Sequence, residues 1–267
     1  MRVQSSGKSS MLELITRIRL PVGTGIYTRF PIKVVLRHSD QQQLSIQIHQ
    51  GPTSKGDQQA VDTINTFYIV KDGSNIDIDI TADIKEAAGI IRVPIDQRAQ
   101  GNRGLQYSDD VLQITHHGPD LHDLTLIDLP GLFSRATAEQ SKEDKKKVQD
   151  IVKCYIKDPN SIILLVCKGT NDYASNTAPN IISPNAERRT LGILTHLNLE
   201  TDIEQVLKLH RGELESKFKE GWHFLSNKHD NGPNKHLSFK EQDGLEQETF
   251  KKKFTLLPAD SWGVNQL

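Results

Sequence analysis

The sequence has 267 residues with 33 Lys and Arg against 34 Asp and Glu, so a formal net charge of −1 offers no broad basic field to nucleic acid or acidic lipid. Hydrophobic residues make up 36% and the mean hydropathy is −0.50, low for a packed core yet outside the range of disordered chains. The longest apolar run, 162–167, is a strand's length and far short of a membrane span, and the two cysteines, Cys154 and Cys167, have neither metal nor disulfide spacing.

Hydrophobic periodicity predicts the elements in chain order. A helix spans 9–17. Segments 33–38 (KVVLRH) and 44–48 (LSIQIH) alternate apolar and polar residues and read as a half-exposed two-stranded ribbon. The Gln- and Gly-rich stretches 41–59 and 98–106 read as surface insertions. Segments 110–115 and 123–127 (DLTLI) read as a second strand pair, followed by a charged helix over 140–156. The continuous apolar runs 161–167 (SIILLVC) and 190–195 (TLGILT) suit strands buried on both faces. Helices over 202–219 and 236–252 complete the chain. The alternation predicts an α/β fold, a mostly parallel central sheet flanked by helices, in one domain over 1–267.

Three motifs carry chemistry. Gln4-Ser5-Ser6-Gly7-Lys8-Ser9-Ser10, at the start of an amphipathic helix, fits the second half of the phosphate loop G-x-x-x-x-G-K-[ST]. Backbone N–H groups at a helix N-terminus present positive potential to phosphate oxygens. Lys8 would reach the β/γ-phosphates and the Ser9 hydroxyl would ligate Mg²⁺; a helix cap beside a chance Gly-Lys-Ser is the alternative. Arg2 stands where the motif places its first Gly. In LPVGTGIYTRFP (20–31), Thr28 suits a switch residue that meets Mg²⁺ through its hydroxyl and holds the attacking water through its backbone, although a turn-rich connection would read the same way. Asp128-Leu129-Pro130-Gly131 ends a strand with an Mg²⁺-side carboxylate and a γ-phosphate-sensing Gly131 N–H; an ordinary strand-to-turn exit is the alternative.

The segments QSSGKSS, LPVGTGIYTRFP, GPDLHDLTLIDLPGL, DPNSIILLVCKGTND and ERRTLGILTHLNL resemble the GTPase domain of the dynamin-family large GTPases across nearly the whole chain. The stretches TRFP and GPD are the most specific part of the likeness. The resemblance implies a phosphate-loop GTPase fold and hydrolysis of GTP to GDP and phosphate in a membrane-remodelling or fission protein. By that likeness Gln4, Ser5, Lys8, Thr28 and Gly131 act in catalysis. Ser6, Gly7, Lys8, Ser9 and Ser10 hold the phosphates, and Thr195, His196, Asn198, Asn227 and Lys228 hold the base and ribose. Ser9, Thr28 and Asp128 take Mg²⁺, and a monovalent cation beside the phosphate loop replaces an arginine finger. The same likeness implies self-association across the nucleotide face and a cytoplasmic location peripheral to organelle membranes. It also implies that any contact with membranes or microtubules runs through segments outside this sequence, with no nucleic-acid partner.

Two departures from the family pattern stand out. The base-reading motif Thr-Lys-x-Asp is here Thr195-His196-Leu197-Asn198. Aspartate accepts both guanine donors, whereas an asparagine amide has one acceptor oxygen. The lost charge-assisted bond and the buried mismatch together cost roughly two to four decades of GTP affinity, and His196 removes the Lys stem that packs over the base. The second departure is at the start: Met1 lies inside the phosphate loop, so the expectation is a domain lacking its first, central strand. Losing about five buried side chains at ~1.5–3 kcal/mol each would exceed a typical domain stability of ~5–15 kcal/mol. These points keep open an alternative, a degenerate nucleotide-binding or interaction module with little hydrolysis. A phosphate-loop ATPase or kinase fits less well, because the switch and Asn227-Lys228 motifs belong to the guanine series. His116, His117 and His122 lack ligand spacing for zinc, and Lys145-Lys146-Lys147 beside Glu143 and Asp144 reads as a solvated face.

Overall fold

The computed structural model describes residues 7–20, 28–74, 78–94, 106–132, 141–169, 182–198, 200–214, 218–226 and 237–267. In chain order, helix α1 (Lys8–Thr16) ends where Arg17 turns left-handed at φ 58° and leads into β1 (Ile18–Arg19). Strands β2 (Ile32–His38) and β3 (Gln43–His49) precede α2 (Gln58–Thr66), whose Asp57 cap accepts from the Ala60 N–H at 3.1 Å. Next come β4 (Tyr68–Asp72), β5 (Ile78–Asp79) and α3 (Thr81–Ile91), the last closed by Arg92 at φ 62°. Strands β6 (Val111–Gly118) and β7 (Leu124–Asp128) lead to α4 (Lys142–Ile156), where Ser141 and Asp144 cap each other's backbone N–H. The remainder is β8 (Ile163–Lys168), α5 (Pro184–Glu187), β9 (Thr190–Thr195), α6 (Ile203–His210), β10 (Trp222–Phe224) and α7 (Phe239–Lys253).

The chain divides into two compact units, Met1–Ile15 with Lys153–Leu267, and Thr16–Val152. The first holds a three-stranded parallel sheet in the order β10-β9-β8. Side chains alternate across it, and both faces are covered. Leu165, Cys167, Leu194 and Phe224 pack with Val206, Leu207 and Leu209 of α6 and with Phe250 and Phe254. Ile193 and Leu225 pack with Met11 and Leu14 of α1, Phe239 and Val264. Double-sided burial explains why β8 and β9 read as unbroken apolar runs. Gly192 is fixed by the indole across it, since an added Cβ would lie 2.5 Å from the Trp222 ring. Helix α6 stops at Arg211 rather than 219, because Gly212 takes φ 68° and its N–H closes onto Leu209.

The second unit holds a five-stranded sheet in the order β4-β3-β6-β2-β7, and a two-residue parallel β1–β5 pair. Only β2–β6 is parallel in the larger sheet; β2–β7, β3–β4 and β3–β6 are antiparallel. The α/β class therefore holds with sheets of mixed direction. The expected ribbon partners do not pair: β6 lies between β2 and β3, and β6 and β7 flank β2 instead of each other. The residue pattern gives the reason. Val34, Val35 and Leu36 are all buried, so β2 is an interior strand that needs a neighbour on each edge. The expected insertion 41–59 in fact carries β3, a short helical turn at Ser54–Gly56 and the capped start of α2. Most of 98–106 lies outside the described residues. Among the described residues β7 and β8 each close an edge of their sheet, with Leu124 and Ile127 at 38% exposure. No helix among them is long and apolar enough to cross a membrane.

Candidate functional site

The phosphate-loop motif enters the described residues at Gly7. Gly7 is buried at φ 81°, a left-handed value that glycine adopts without steric cost, and its carbonyl accepts the first helical bond, from Met11 N at 2.8 Å. Lys8, Ser9 and Ser10 then form the first turn of α1, half-buried, at the positive end of the helix dipole. Arg2, Gln4, Ser5 and Ser6 lie outside the described residues.

Thr28 and Asp128 meet in the other unit. The Thr28 hydroxyl donates to Asp128 Oδ2 at 3.1 Å, and both residues are buried. The register explains this meeting across 100 residues: antiparallel pairing sets Ile32 opposite Asp128, so the entry to β2 and the exit of β7 coincide. Arg29 anchors the approach. It is buried, its Nη1 donates to the Gln106 side-chain oxygen at 2.9 Å, and its guanidinium lies 5.7 Å from the Tyr107 ring centre. Its carbonyl accepts from Ser108 N at 3.0 Å. Gly131 is exposed, three residues past Asp128. A hydroxyl and a carboxylate are hard oxygen donors, the chemistry that Mg²⁺ selects, so this pair fits the ion.

The segment Thr195-His196-Leu197-Asn198 leaves the end of β9. Thr195 Oγ1 donates to the Cys167 carbonyl at 3.1 Å and lies 2.9 Å from His196 Nδ1. His196 is buried at φ 60°, and that left-handed step turns the chain out of the strand. Leu197 is tied to the end of β10: its N–H donates to Leu225 O at 3.2 Å, and its carbonyl accepts from the Ser226 hydroxyl at 2.7 Å. Asn198 folds back on its own loop. Its Oδ1 accepts from Glu200 N at 2.9 Å and from the Thr201 hydroxyl at 3.1 Å. Asn227 and Lys228 lie outside the described residues.

Three residues given no role by the sequence pattern support these segments: Arg29, Ser226 and Glu246. Arg29 stood inside the quoted TRFP stretch. Glu246 had a signal of its own, because it shares the buried face of α7 with Phe239 and Phe250 at helical spacing.

Residues 2–197 match the family described as "Dynamin family". Over 222 residues the chain is 32% identical to the interferon-induced GTP-binding protein Mx of Ctenopharyngodon idella, covering 78% of this chain and 32% of that protein. It is also 32% identical over 212 residues to the dynamin-1-like protein of Danio rerio, 76% of this chain and 28% of that one. With the mitochondrial dynamin-like GTPase OPA1 of Gallus gallus it shares 29% over 201 residues, 73% of this chain and 18% of that one. The chain thus spans about a third or less of the length of these curated relatives.

Proposed function

We propose that this chain, which belongs to the dynamin family, binds guanine nucleotide and hydrolyses GTP to GDP and phosphate as one GTPase domain over 1–267. The observation that supports the reading most is the buried bond between Thr28 and Asp128, because the sequence assigns both residues to one ion from motifs 100 positions apart. Lys8 neutralises the β/γ-phosphates, with the backbone N–H groups of Gly7 to Ser10 cradling them. Ser9, Thr28 and Asp128 supply hydroxyl and carboxylate oxygens for Mg²⁺, which when bound offsets the charge of the triphosphate. Thr28 holds the attacking water through its backbone, and the Gly131 N–H meets the γ-phosphate. Gln4 and Ser5 contribute transition-state contacts beside a monovalent cation. Thr195, His196, Asn198, Asn227 and Lys228 surround the base and ribose.

In the same reading the protein works peripherally at organelle membranes, in remodelling or fission, and associates with itself across the nucleotide face. The test is hydrolysis by purified protein. Lys8→Ala is expected to lower turnover by at least about a hundredfold, the loss typical of one electrostatic contact to a transition state. Unchanged turnover would remove the phosphate loop from the account. A second reading, a nucleotide-binding module with little turnover, is favoured by one observation: the only acceptor atom of the Asn198 side chain is already engaged within its own loop.

A further inference from the structure

We propose that Glu246 is a positioning residue for the base-reading loop, and that it ties this loop to the chain segment 262–264. The inference rests on the reading of 195–198 as the guanine site. Glu246 is a carboxylate on α7 with only 5% exposure, on a helix face otherwise occupied by Phe239 and Phe250. Burying a carboxylate is costly unless its oxygens are hydrogen-bonded, so its partners indicate what the group is for.

Both oxygens are engaged. Oε1 accepts from Ser226 N at 2.8 Å, and Oε2 accepts from Val264 N at 3.0 Å. Ser226 passes the constraint on, since its hydroxyl donates to the Leu197 carbonyl at 2.7 Å, between His196 and Asn198. The other side of the carboxylate is equally fixed. Gly263 N donates to Phe224 O at 3.0 Å, Trp262 bridges Phe224 in parallel, and its indole stacks on Phe250 at 4.7 Å and 8°. The carboxylate therefore links the exit of β10 to the segment 262–264 directly, and through Ser226 to the loop after β9. Each link is a hydrogen bond to backbone, which sets the position of a loop rather than its chemistry. Glu246 acts on the base site through Ser226.

A carboxylate accepts two N–H groups, one on each oxygen. Glu246→Gln keeps the shape but turns an amide NH₂ toward one of the two backbone donors. The measurement is competition binding to the full chain with two probes, GDP and inorganic pyrophosphate. Glu246→Gln is expected to weaken GDP about tenfold and leave pyrophosphate within about twofold, the size of one charge-assisted hydrogen bond lost at the base alone. Ser226→Ala keeps the N–H bond to Glu246 and removes only the link to Leu197, so it is expected to reproduce the GDP-specific loss. The double variant should lose no more than the larger single effect, as members of one relay do.

A purely structural Glu246 would weaken both probes together or neither, and either result overturns the proposal. Should Glu246→Gln fail to fold, Ser226→Ala decides alone, and an unaltered GDP affinity there also overturns it. If the unmodified protein binds GDP no better than pyrophosphate, the guanine-site reading falls first and the inference falls with it.

Discussion

In the proposed base site, Asn198 offers an amide whose acceptor oxygen already serves Glu200 N–H and the Thr201 hydroxyl. A guanine edge offers two donors, so it must compete with those loop contacts or meet the Asn198 NH₂, donor against donor. Xanthine carries a carbonyl in place of the exocyclic amine, and the same NH₂ can donate to it. A carboxylate could keep the loop bonds on one oxygen and accept from guanine with the other. Asn198→Asp is therefore expected to tighten GTP binding by roughly one to two decades, the value of a charge-assisted bond of ~1.5–3 kcal/mol. It should also turn preference away from xanthosine triphosphate. Competition between the two nucleotides measures this. Strong GTP preference in the unmodified chain would mean that 195–198 does not read the base.

At the scale of elements, β10 is only three residues long and draws its order from its surroundings. His223, at its centre, donates from Nε2 to the Gly263 carbonyl at 2.8 Å. Burial pushes its pKa below the usual imidazole value, against the opposing pull of that carbonyl and of Asp260. The sign follows from linkage. The unfolded chain binds the proton more readily, so stability is full above the ordinary imidazole pKa of ~6.5 and is lost as pH falls through the depressed folded value. Urea midpoints are expected to drop on acidification below about pH 6.5, and His223→Gln, which keeps a donor but does not titrate, should flatten part of that slope. Identical slopes in both proteins would assign the acid loss to other groups. β10 also marks the limit of the sequence reading. WHF is too short to carry a period, so periodicity gives no strand there, whereas the long runs of β8 and β9 announced themselves through double-sided burial. Helix α2 and strand β4 gave little pattern to read, since α2 buries only Ile64 and β4 no residue, while α3 buries Ile84, Ala87, Ala88 and Ile91 at a helical spacing that the reading passed over. Strand partners were misread because periodicity reports which faces are buried and says nothing of which edges meet. In the proposed site, residue type assigned Thr28 and Asp128 to one ion, and their side chains meet. Residue type gave Ser226 and Glu246 no role, because their side chains act by holding backbone groups that no motif names.

For the whole molecule, the distribution of tryptophan supplies a probe. The sequence has two, Trp222 and Trp262, and both fall in the unit built from Met1–Ile15 and Lys153–Leu267. Fluorescence therefore follows that unit alone, while far-ultraviolet circular dichroism follows both. The proposed phosphate and base contacts, Lys8, Ser9 and Thr195 to Asn198, belong to the same unit. The Thr28–Asp128 pair belongs to Thr16–Val152. GDP offered without Mg²⁺ engages the phosphate and base contacts and leaves the metal-dependent ones unused. A ligand at a hundred times its Kd stabilises the state that binds it by ~2.7 kcal/mol, which for a unit of this size corresponds to roughly 10 °C. The fluorescence midpoint is thus expected to rise by about that amount with GDP, and inorganic phosphate at equal concentration should raise it far less. If GDP shifts the dichroism transition while the fluorescence midpoint stays in place, the nucleotide is held by residues 16–152, and the assignment of the base to the loop after β9 has to be abandoned.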